Sequence, residues 1–117
     1  MKRDPECLFC KIIDKKIPAR MEYEDEDTVA FLDVNPQAPL HILIVPKRHI
    51  AKIEDLTESD GELMGKLIVL AKKLAKEKNV EKGSFRLVFN NGALAGQSVF
   101  HIHLHLLGGR KLTWPPG

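Results

Sequence analysis

Short apolar segments separated by turn residues run along the whole chain, and their spacing predicts the elements of the fold. Alternation, or a run of aliphatic and β-branched residues between turns, predicts five strands at 21–24, 28–32, 40–45, 84–89 and 99–107. Apolar residues at helical spacing predict a short helix over 7–16, which Pro18 ends. A longer surface helix follows Thr57 and Asp60, which resemble a capping box, and it runs for roughly two dozen residues at most, to near Asn79.

The order of these elements predicts the fold class. Most connections between the strands have the length of hairpins, and the one long helix lies between the third and fourth strands. This arrangement favours an antiparallel sheet with helices on one face, which is an α+β fold. A chain of 117 residues has room for one such core, so we expect a single domain over residues 1–117.

Composition excludes several classes of protein without identifying a function. The longest aliphatic run, 42–45, is far shorter than the ~20 residues of a membrane helix, and the basic N-terminus lacks the apolar segment of a secretory signal. A formal net charge of +2 does not suggest nucleic acid or an anionic membrane as a partner. Two cysteines cannot form a disulfide framework, which fits a reducing, cytoplasmic location.

The most informative motif is a row of histidines in the last predicted strand. His101, His103 and His105 alternate with apolar residues, and the chain has five histidines in all. Because alternate side chains of a strand share a face, we expect the three imidazoles on one side and the apolar residues in the core. A polar strand face turned to solvent is the alternative. Imidazole, however, is the side chain that attacks phosphorus, exchanges protons near neutral pH and binds metals.

The loop before this strand, 90–98, is rich in glycine and in side chains that donate hydrogen bonds. Gly96 allows a ligand to approach the backbone closely, and main-chain N–H groups, an amide and the Ser98 hydroxyl offer donors to an anion. Most loops of this composition are only turns. Beside a row of histidines, the segment 96–98 predicts a site that holds a phosphate group.

Cys7 and Cys10 have the spacing of half a zinc site. Redox chemistry is one alternative, although no strand precedes Cys7 as it does in a thioredoxin-type motif. A pair of reduced cysteines in the core is the other alternative. The spacing alone leaves all three interpretations open.

Segments along nearly the whole chain resemble the histidine triad superfamily. The row at 101–107 is similar to its signature, in which three histidines alternate with apolar residues. Other segments resemble the family in the same order, at 7–13, 17–19, 30–33, 36–41, 45–50, 96–98 and 114–117. The last of these, Trp-Pro-Pro-Gly, is similar to the Hint branch, whose members hydrolyse purine nucleoside phosphoramidates. The resemblance implies a five-stranded antiparallel sheet with one long and one short helix.

The same resemblance implies a nucleotide hydrolase with His103 as the nucleophile. His103 attacks the α-phosphorus, a nucleotidyl-histidine forms, and water then releases AMP or GMP. His105 contacts the phosphate oxygens, Ser98 binds the phosphate or the leaving amine, and His41 is a fourth active-site histidine. A strand-end histidine bound by the backbone is the alternative for His41. For the whole chain, the alternatives are a dinucleoside polyphosphate hydrolase of the Fhit type and a regulatory scaffold that binds nucleotides.

The resemblance further implies a purine nucleotide pocket and no organic cofactor. Apolar side chains sandwich the base, and Asp33 holds the ribose hydroxyls, since a carboxylate accepts two hydrogen bonds. Asn90 and the backbone of the loop contact the α-phosphate. The residues implied for nucleotide binding are Phe9, Ile12, Phe31, Asp33, Val34, Asn90, Gly96, Gln97, Ser98, His103 and His105. Ordinary core packing is the alternative for the apolar members.

Some histidine triad proteins bind structural zinc with two cysteines and two histidines. The residues that match these ligands are Cys7, Cys10, His49 and His101.

The family resemblance also implies a homodimer, in which two sheets join into one of ten strands through the long helix and the adjacent strand. Gly61 and Gly65 lie one turn apart on that helix, where each costs roughly 1 kcal/mol of helix propensity relative to alanine. Such a pair permits another backbone to approach closely, unless both glycines simply face solvent.

Overall fold

The computed structural model describes residues 2–80 and 83–117, and within them five strands form one antiparallel sheet. The strands are β1 (Met21–Glu24), β2 (Thr28–Leu32), β3 (Leu40–Pro46), β4 (Phe85–Val88) and β5 (Leu104–Gly108). Their order across the sheet is β1-β2-β3-β5-β4, with every neighbouring pair antiparallel. One short helix, α1 (Leu8–Ile13), and one long helix, α2 (Gly61–Glu77), complete the α+β fold that the sequence predicts.

The central strand β3 determines how the two helices are placed. Its side chains from His41 to Pro46 are all buried, because neighbours cover both of its faces. Ile42 and Ile44 pack into one core with α2, whereas Leu43 and Val45 pack into a second core with α1. The helices therefore lie on opposite faces of the sheet, and the prediction that they share one face is wrong. An uninterrupted apolar run such as 40–45 is typical of a strand that is covered on both sides.

The long helix α2 buries one stripe and exposes the opposite face. The predicted capping box is present: the carboxylate of Asp60 accepts a hydrogen bond from the N–H of Thr57 at 2.9 Å, ahead of the helix start at Gly61. The buried stripe consists of Leu67, Leu70, Ala71, Leu74 and Ala75. The helix has 17 residues and ends near Asn79, as predicted: Glu77 is its last residue, and Asn79 has a left-handed φ of 54°. None of the described helices is long and apolar enough to cross a membrane.

The face of α2 that points away from the sheet carries small and apolar residues. Gly61 and Gly65 are exposed there, and a Cβ added at either would meet nothing within 4 Å. Ile68 and Val69, on the same side, are 48% and 66% exposed. Packing within one chain therefore does not account for the two glycines.

The first helix and the last strand are both shorter than the sequence suggests. α1 ends at Ile13, and Lys15 adopts a left-handed conformation with φ of 63°, so the helix stops before Pro18 has any effect. β5 begins at Leu104 because the preceding segment leaves the sheet. There, the N–H of Ile102 donates to the carbonyl of Ile50 at 2.7 Å and not to a neighbouring strand. His105 is thus the only one of the three predicted strand histidines that lies within a described strand.

The packing of α2 predicts a large stability difference between two leucine substitutions. Leu67 is fully buried, so Leu67→Ala removes apolar contacts and leaves a cavity, and we expect a loss of about 2–5 kcal/mol in the free energy of unfolding. Leu94 is fully exposed, so Leu94→Ala is expected to change that energy by less than about 0.5 kcal/mol. Urea unfolding of both variants at one protein concentration measures the difference. Equal stabilities would contradict the proposed core.

Candidate functional site

A cleft of about 550 Å³ lies between α1, the ends of β2 and β3, and the segment that leads into β5. Its size is typical of a site for a small ligand. The residues from the sequence analysis that line it are Phe9, Ile12, Phe31, Asp33, Val34, His41, Gly96, Ser98, His103 and His105. Asn90 and Gln97 are not among its lining residues. The fold therefore brings together most of the residues that the sequence singles out.

His103 is held with one ring nitrogen available to the cleft. Its Nδ1 lies 2.8 Å from the carbonyl oxygen of His101, which can only accept, so Nδ1 carries the proton and Nε2 a lone pair. The ring of Phe9 packs edge-on against this imidazole at 5.0 Å between centroids. Burial lowers the pKa of His103, and the hydrogen bond to His101 partly opposes that shift, so the ring is neutral at pH 7.

His41 and His105 form a pair beside His103. The Nε2 of His41 lies 2.9 Å from the Nδ1 of His105, and the carboxylate of Asp33 lies 3.4 Å from the same Nε2. Burial lowers the pKa of His41, with Asp33 acting against it. Burial, with His103 and His41 as neighbours, lowers the pKa of His105 to about 4. Both rings are therefore neutral near pH 7.

The backbone of Gln37 contributes to this pair, and the sequence gives no sign of it. Its N–H donates to Nδ1 of His41 at 3.0 Å. Possible ligand atoms of Asp33, His41 and His105 lie within 4.8 Å of one another, a spacing that also suits a metal ion. Since the N–H of Gln37 occupies the lone pair on Nδ1 of His41, the proton of the neutral ring sits on Nε2, which then cannot coordinate a cation. The arrangement favours proton donation to His105.

One wall of the cleft is apolar. Phe9 and Phe31 make an edge-to-face contact at 5.4 Å, and Ile12 lies next to Phe9 in the same core. These three side chains are buried in the core and also line the cleft. Val34, by contrast, is 99% exposed and forms part of the rim. Such a wall suits a flat, largely apolar ring.

The loop 90–98 does not direct its donors as expected for the predicted phosphate site at 96–98. A short turn at Ala93–Ala95 closes the loop on itself, so the N–H groups of Gly96 and Gln97 donate to carbonyls within the loop, at 3.0 and 3.1 Å. The side chain of Gln97 is buried and binds Gly92, Ala51 and Val99. These donors are therefore directed inwards in this structure, although the sequence suggests that they face an anion. Of the predicted phosphate site at 96–98, Gly96 and Ser98 line the cleft.

Behind the cleft, two cysteines and two histidines form a second cluster. One ligand atom from each of Cys7, Cys10, His49 and His101 lies within 4.8 Å of all the others. The Nδ1 of His101 is 3.4 Å from Cys7 Sγ and 3.5 Å from Cys10 Sγ. The Nδ1 of His49 is 3.4 Å from Cys10 Sγ and 3.2 Å from Nδ1 of His101. The fold thus joins the N-terminal end of α1, the segment that follows β3 and the histidine row.

These distances and donors fit a structural zinc site. Tetrahedral zinc with bonds of about 2.3 Å to sulfur and 2.0 Å to nitrogen separates its ligands by about 3.5 Å (S to N) and 3.3 Å (N to N). The Nε2 of His101 donates to the carbonyl of Pro46 at 2.7 Å, which leaves Nδ1 free for a metal. Burial raises the pKa of the Cys10 thiol to about 11, so a cation is needed to hold it as a thiolate. The predicted ligands and metal are confirmed, in preference to a redox pair.

Removal of the thiolates should release the metal and lower stability. We expect about one zinc per chain in protein purified without chelators, and none in a Cys7→Ser, Cys10→Ser variant. Because metal binding contributes to folding, the variant should melt about 10 °C lower or more, while keeping part of any hydrolytic activity. Elemental analysis and calorimetry measure both effects. A chelator should lower the melting temperature of the native protein but not that of the variant, and an equal response of the two would exclude the site.

Comparison with known proteins places the chain in one family. The family model described as "Scavenger mRNA decapping enzyme C-term binding" matches residues 6–113. An uncharacterized HIT-like protein of Synechocystis sp. is 50% identical over 94% of this chain and 96% of its own length. A 14 kDa zinc-binding protein of Zea mays is 50% identical over 97% of this chain and 90% of its own.

A solved structure agrees with these relatives. The crystal structure of a HIT family hydrolase from Legionella pneumophila superposes with a TM-score of 0.93 at 53% identity, and the match covers 96% of this chain and all of that one. The chain therefore belongs to the histidine triad (HIT) family.

Proposed function

We propose that this protein is a hydrolase of the Hint branch that cleaves purine nucleoside 5′-phosphoramidates to a nucleoside monophosphate and an amine. The observation that carries the proposal is the state of His103. It is a neutral imidazole whose Nδ1–H is tied to a carbonyl and whose Nε2 is unprotonated, in a cleft large enough for a nucleotide. A neutral, oriented imidazole is a nucleophile for phosphorus.

The proposed reaction has two displacements at the α-phosphorus. In the first, Nε2 of His103 forms a bond to phosphorus, the P–N bond of the substrate breaks, and the amine leaves with a proton taken from solvent. In the second, a water oxygen attacks the same phosphorus and releases a proton to solvent, and the bond to Nε2 breaks, which regenerates neutral His103. Both steps place negative charge on the phosphoryl oxygens, and the hydrogen-bond donors that line the cleft near His103 are Ser98 and His105.

The remaining lining residues are assigned to the nucleoside. Phe9, Ile12 and Phe31 form the wall for the purine ring, and Val34 covers it from the rim. Asp33 is assigned to the ribose hydroxyls. One of its oxygens already accepts the N–H of Asn35 at 2.8 Å, which fixes the carboxylate while leaving it further acceptor capacity. The side chain of Asn90 lies beside Gly96, which lines the cleft, and Asn90 is therefore assigned to the phosphate together with the loop 90–98.

The match to a decapping-enzyme model favours a second candidate substrate class. In a capped or symmetrical dinucleoside polyphosphate, the same attack by His103 would expel a nucleotide and not an amine. The two candidates share the nucleophile and the nucleoside pocket, so the leaving group alone separates them.

His103→Ala tests the mechanism for both substrate classes. We expect turnover of an adenosine phosphoramidate to fall by about three orders of magnitude or more, since both displacements use the same nitrogen. Affinity for AMP should change little, because other residues hold base and ribose. Rapid quenching with labelled substrate should trap a nucleotide on the native protein and none on the variant.

Two outcomes decide the function. The native protein should turn over the phosphoramidate faster than diadenosine tetraphosphate, and the reverse order would favour the second candidate. Undiminished turnover by His103→Ala would exclude His103 as the nucleophile, and negligible turnover of both substrates by the native protein would leave a nucleotide-binding scaffold as the better description.

We also propose that two copies associate through the exposed face of α2, with β4 beside it, to form a ten-stranded sheet. Support comes from the exposed residues of that face, two glycines with open space above them followed by two aliphatic side chains. Phe85, at the start of β4, adds a 37% exposed ring. A surface of this kind is typical of a protein contact.

Sedimentation should therefore give about twice the chain mass of 13.2 kDa. Val69→Glu places a charge on the proposed interface and should shift the protein to the monomer. Leu94→Glu adds the same charge at an exposed leucine of a different element, so it should leave the dimer intact. A monomeric native protein at micromolar concentration would refute the proposed assembly.

A further inference from the structure

Arg110 donates hydrogen bonds to the main-chain carbonyls of Lys111 and of Gln37, and the second of these residues lies in the loop that supports the site. It follows β5 and Gly109, whose φ of 90° turns the chain, and a Cβ at Gly109 would lie 3.0 Å from that of Pro39. The chain thereby runs close to the loop between β2 and β3. The guanidinium directs Nε and Nη2 to the carbonyl oxygen of Gln37, at 3.1 and 2.9 Å. Two donors on one acceptor restrain the backbone at Gln37 more tightly than a single bond does.

The N–H of the same residue makes the contact to His41. It lies 3.0 Å from Nδ1 of that ring. The side chain of Gln37 also donates to the carbonyl of Asn35 at 2.9 Å, within the loop. Gln37 is therefore held at its carbonyl by Arg110 and presents its N–H to the buried imidazole.

This contact determines where the protons lie on two neighbouring rings. A main-chain N–H can only donate, so Nδ1 of His41 accepts and its Nε2 carries the proton. That Nε2 faces Nδ1 of His105 at 2.9 Å, so Nδ1 of His105 accepts in turn. Both rings are neutral near pH 7, which leaves the single proton of His105 on its Nε2.

We propose that Arg110 is a positioning residue, which fixes the proton of His105 on Nε2 by holding Gln37 against His41. The consequence rests on the function proposed above. With Nε2 protonated, His105 offers a hydrogen bond to the phosphoryl oxygens in the cleft, whereas the other tautomer directs a lone pair at an anion. Arg110 acts on His105 through Gln37 and His41, and it contributes no group to the reacting atoms.

A comparison of two arginine variants tests the assignment. Arg110→Ala removes the two bonds to Gln37. Arg86→Ala is the matched control, because Arg86 also binds the segment after β5, through the carbonyl of Thr113 at 2.9 Å, but does not contact Gln37. Arg110→Lys retains a charge and a donor without the two-pronged geometry.

The first measurement is the ¹⁵N spectrum of the imidazoles in the metal-loaded protein without substrate. The native protein and Arg86→Ala should show His41 and His105 as single tautomers with the proton on Nε2. Arg110→Ala should show a mixture at both rings, and Arg110→Lys an intermediate one. A single Nε2–H tautomer in Arg110→Ala would overturn the proposal, whatever reaction the protein catalyses.

The second measurement is the turnover of an adenosine phosphoramidate. Arg110→Ala should lower kcat by about tenfold or more with KM nearly unchanged, since the lost effect concerns proton placement and not substrate contact. Arg86→Ala should keep the native kcat. An equal loss in both variants would show that Arg110 only anchors the terminal segment, and would refute its assigned role. A native protein without phosphoramidase activity would refute the proposed function, and the spectra would still decide the role of Arg110.

Discussion

His101 donates from Nε2 to the carbonyl of Pro46 at the end of β3, and this buried bond orients much of what surrounds it. With Nε2 committed, Nδ1 is available to the cysteine cluster. The carbonyl of the same residue accepts the proton of His103. A single residue thus connects the edge of the central strand, the metal site and the ring assigned as nucleophile. A displacement of His101 would disturb all three together.

Main-chain groups set the proton positions of the histidines around the cleft. A carbonyl fixes the proton of His103 on Nδ1, and an N–H fixes that of His41 on Nε2. Main-chain groups do not titrate, so these assignments persist for as long as the backbone keeps its place. Burial adds a second condition, because it lowers the pKa of each ring and keeps it neutral. Neighbouring imidazoles can therefore differ in function, because they carry their protons on different ring nitrogens.

Much of the fold follows from sequence pattern, and the exceptions have physical causes. Strand alternation and the capping box predict the sheet and the start of α2, because both depend on neighbouring residues. The placement of α1 opposite α2 depends on the two-sided burial of β3, which a run of aliphatic residues allows but does not specify. β5 is shorter than predicted because Ile102 finds its acceptor in a distant loop. In the site, side-chain chemistry is readable from sequence, whereas the backbone contacts of Gln37 and the inward amides of 96–97 are not.

The metal cluster joins Cys7 to His101 across 94 positions of the chain. The helix that Cys7 caps and that carries Cys10 has six residues, too few to be stable alone, yet it forms a wall of the cleft. Closing so long a loop has an entropic cost, which a metal bound at both ends of the loop would offset. A metal held by this cluster would therefore tie the helix nearest the beginning of the chain to the segment that carries His103. The apolar wall of the cleft and the imidazole that faces it would then be fixed by one ion.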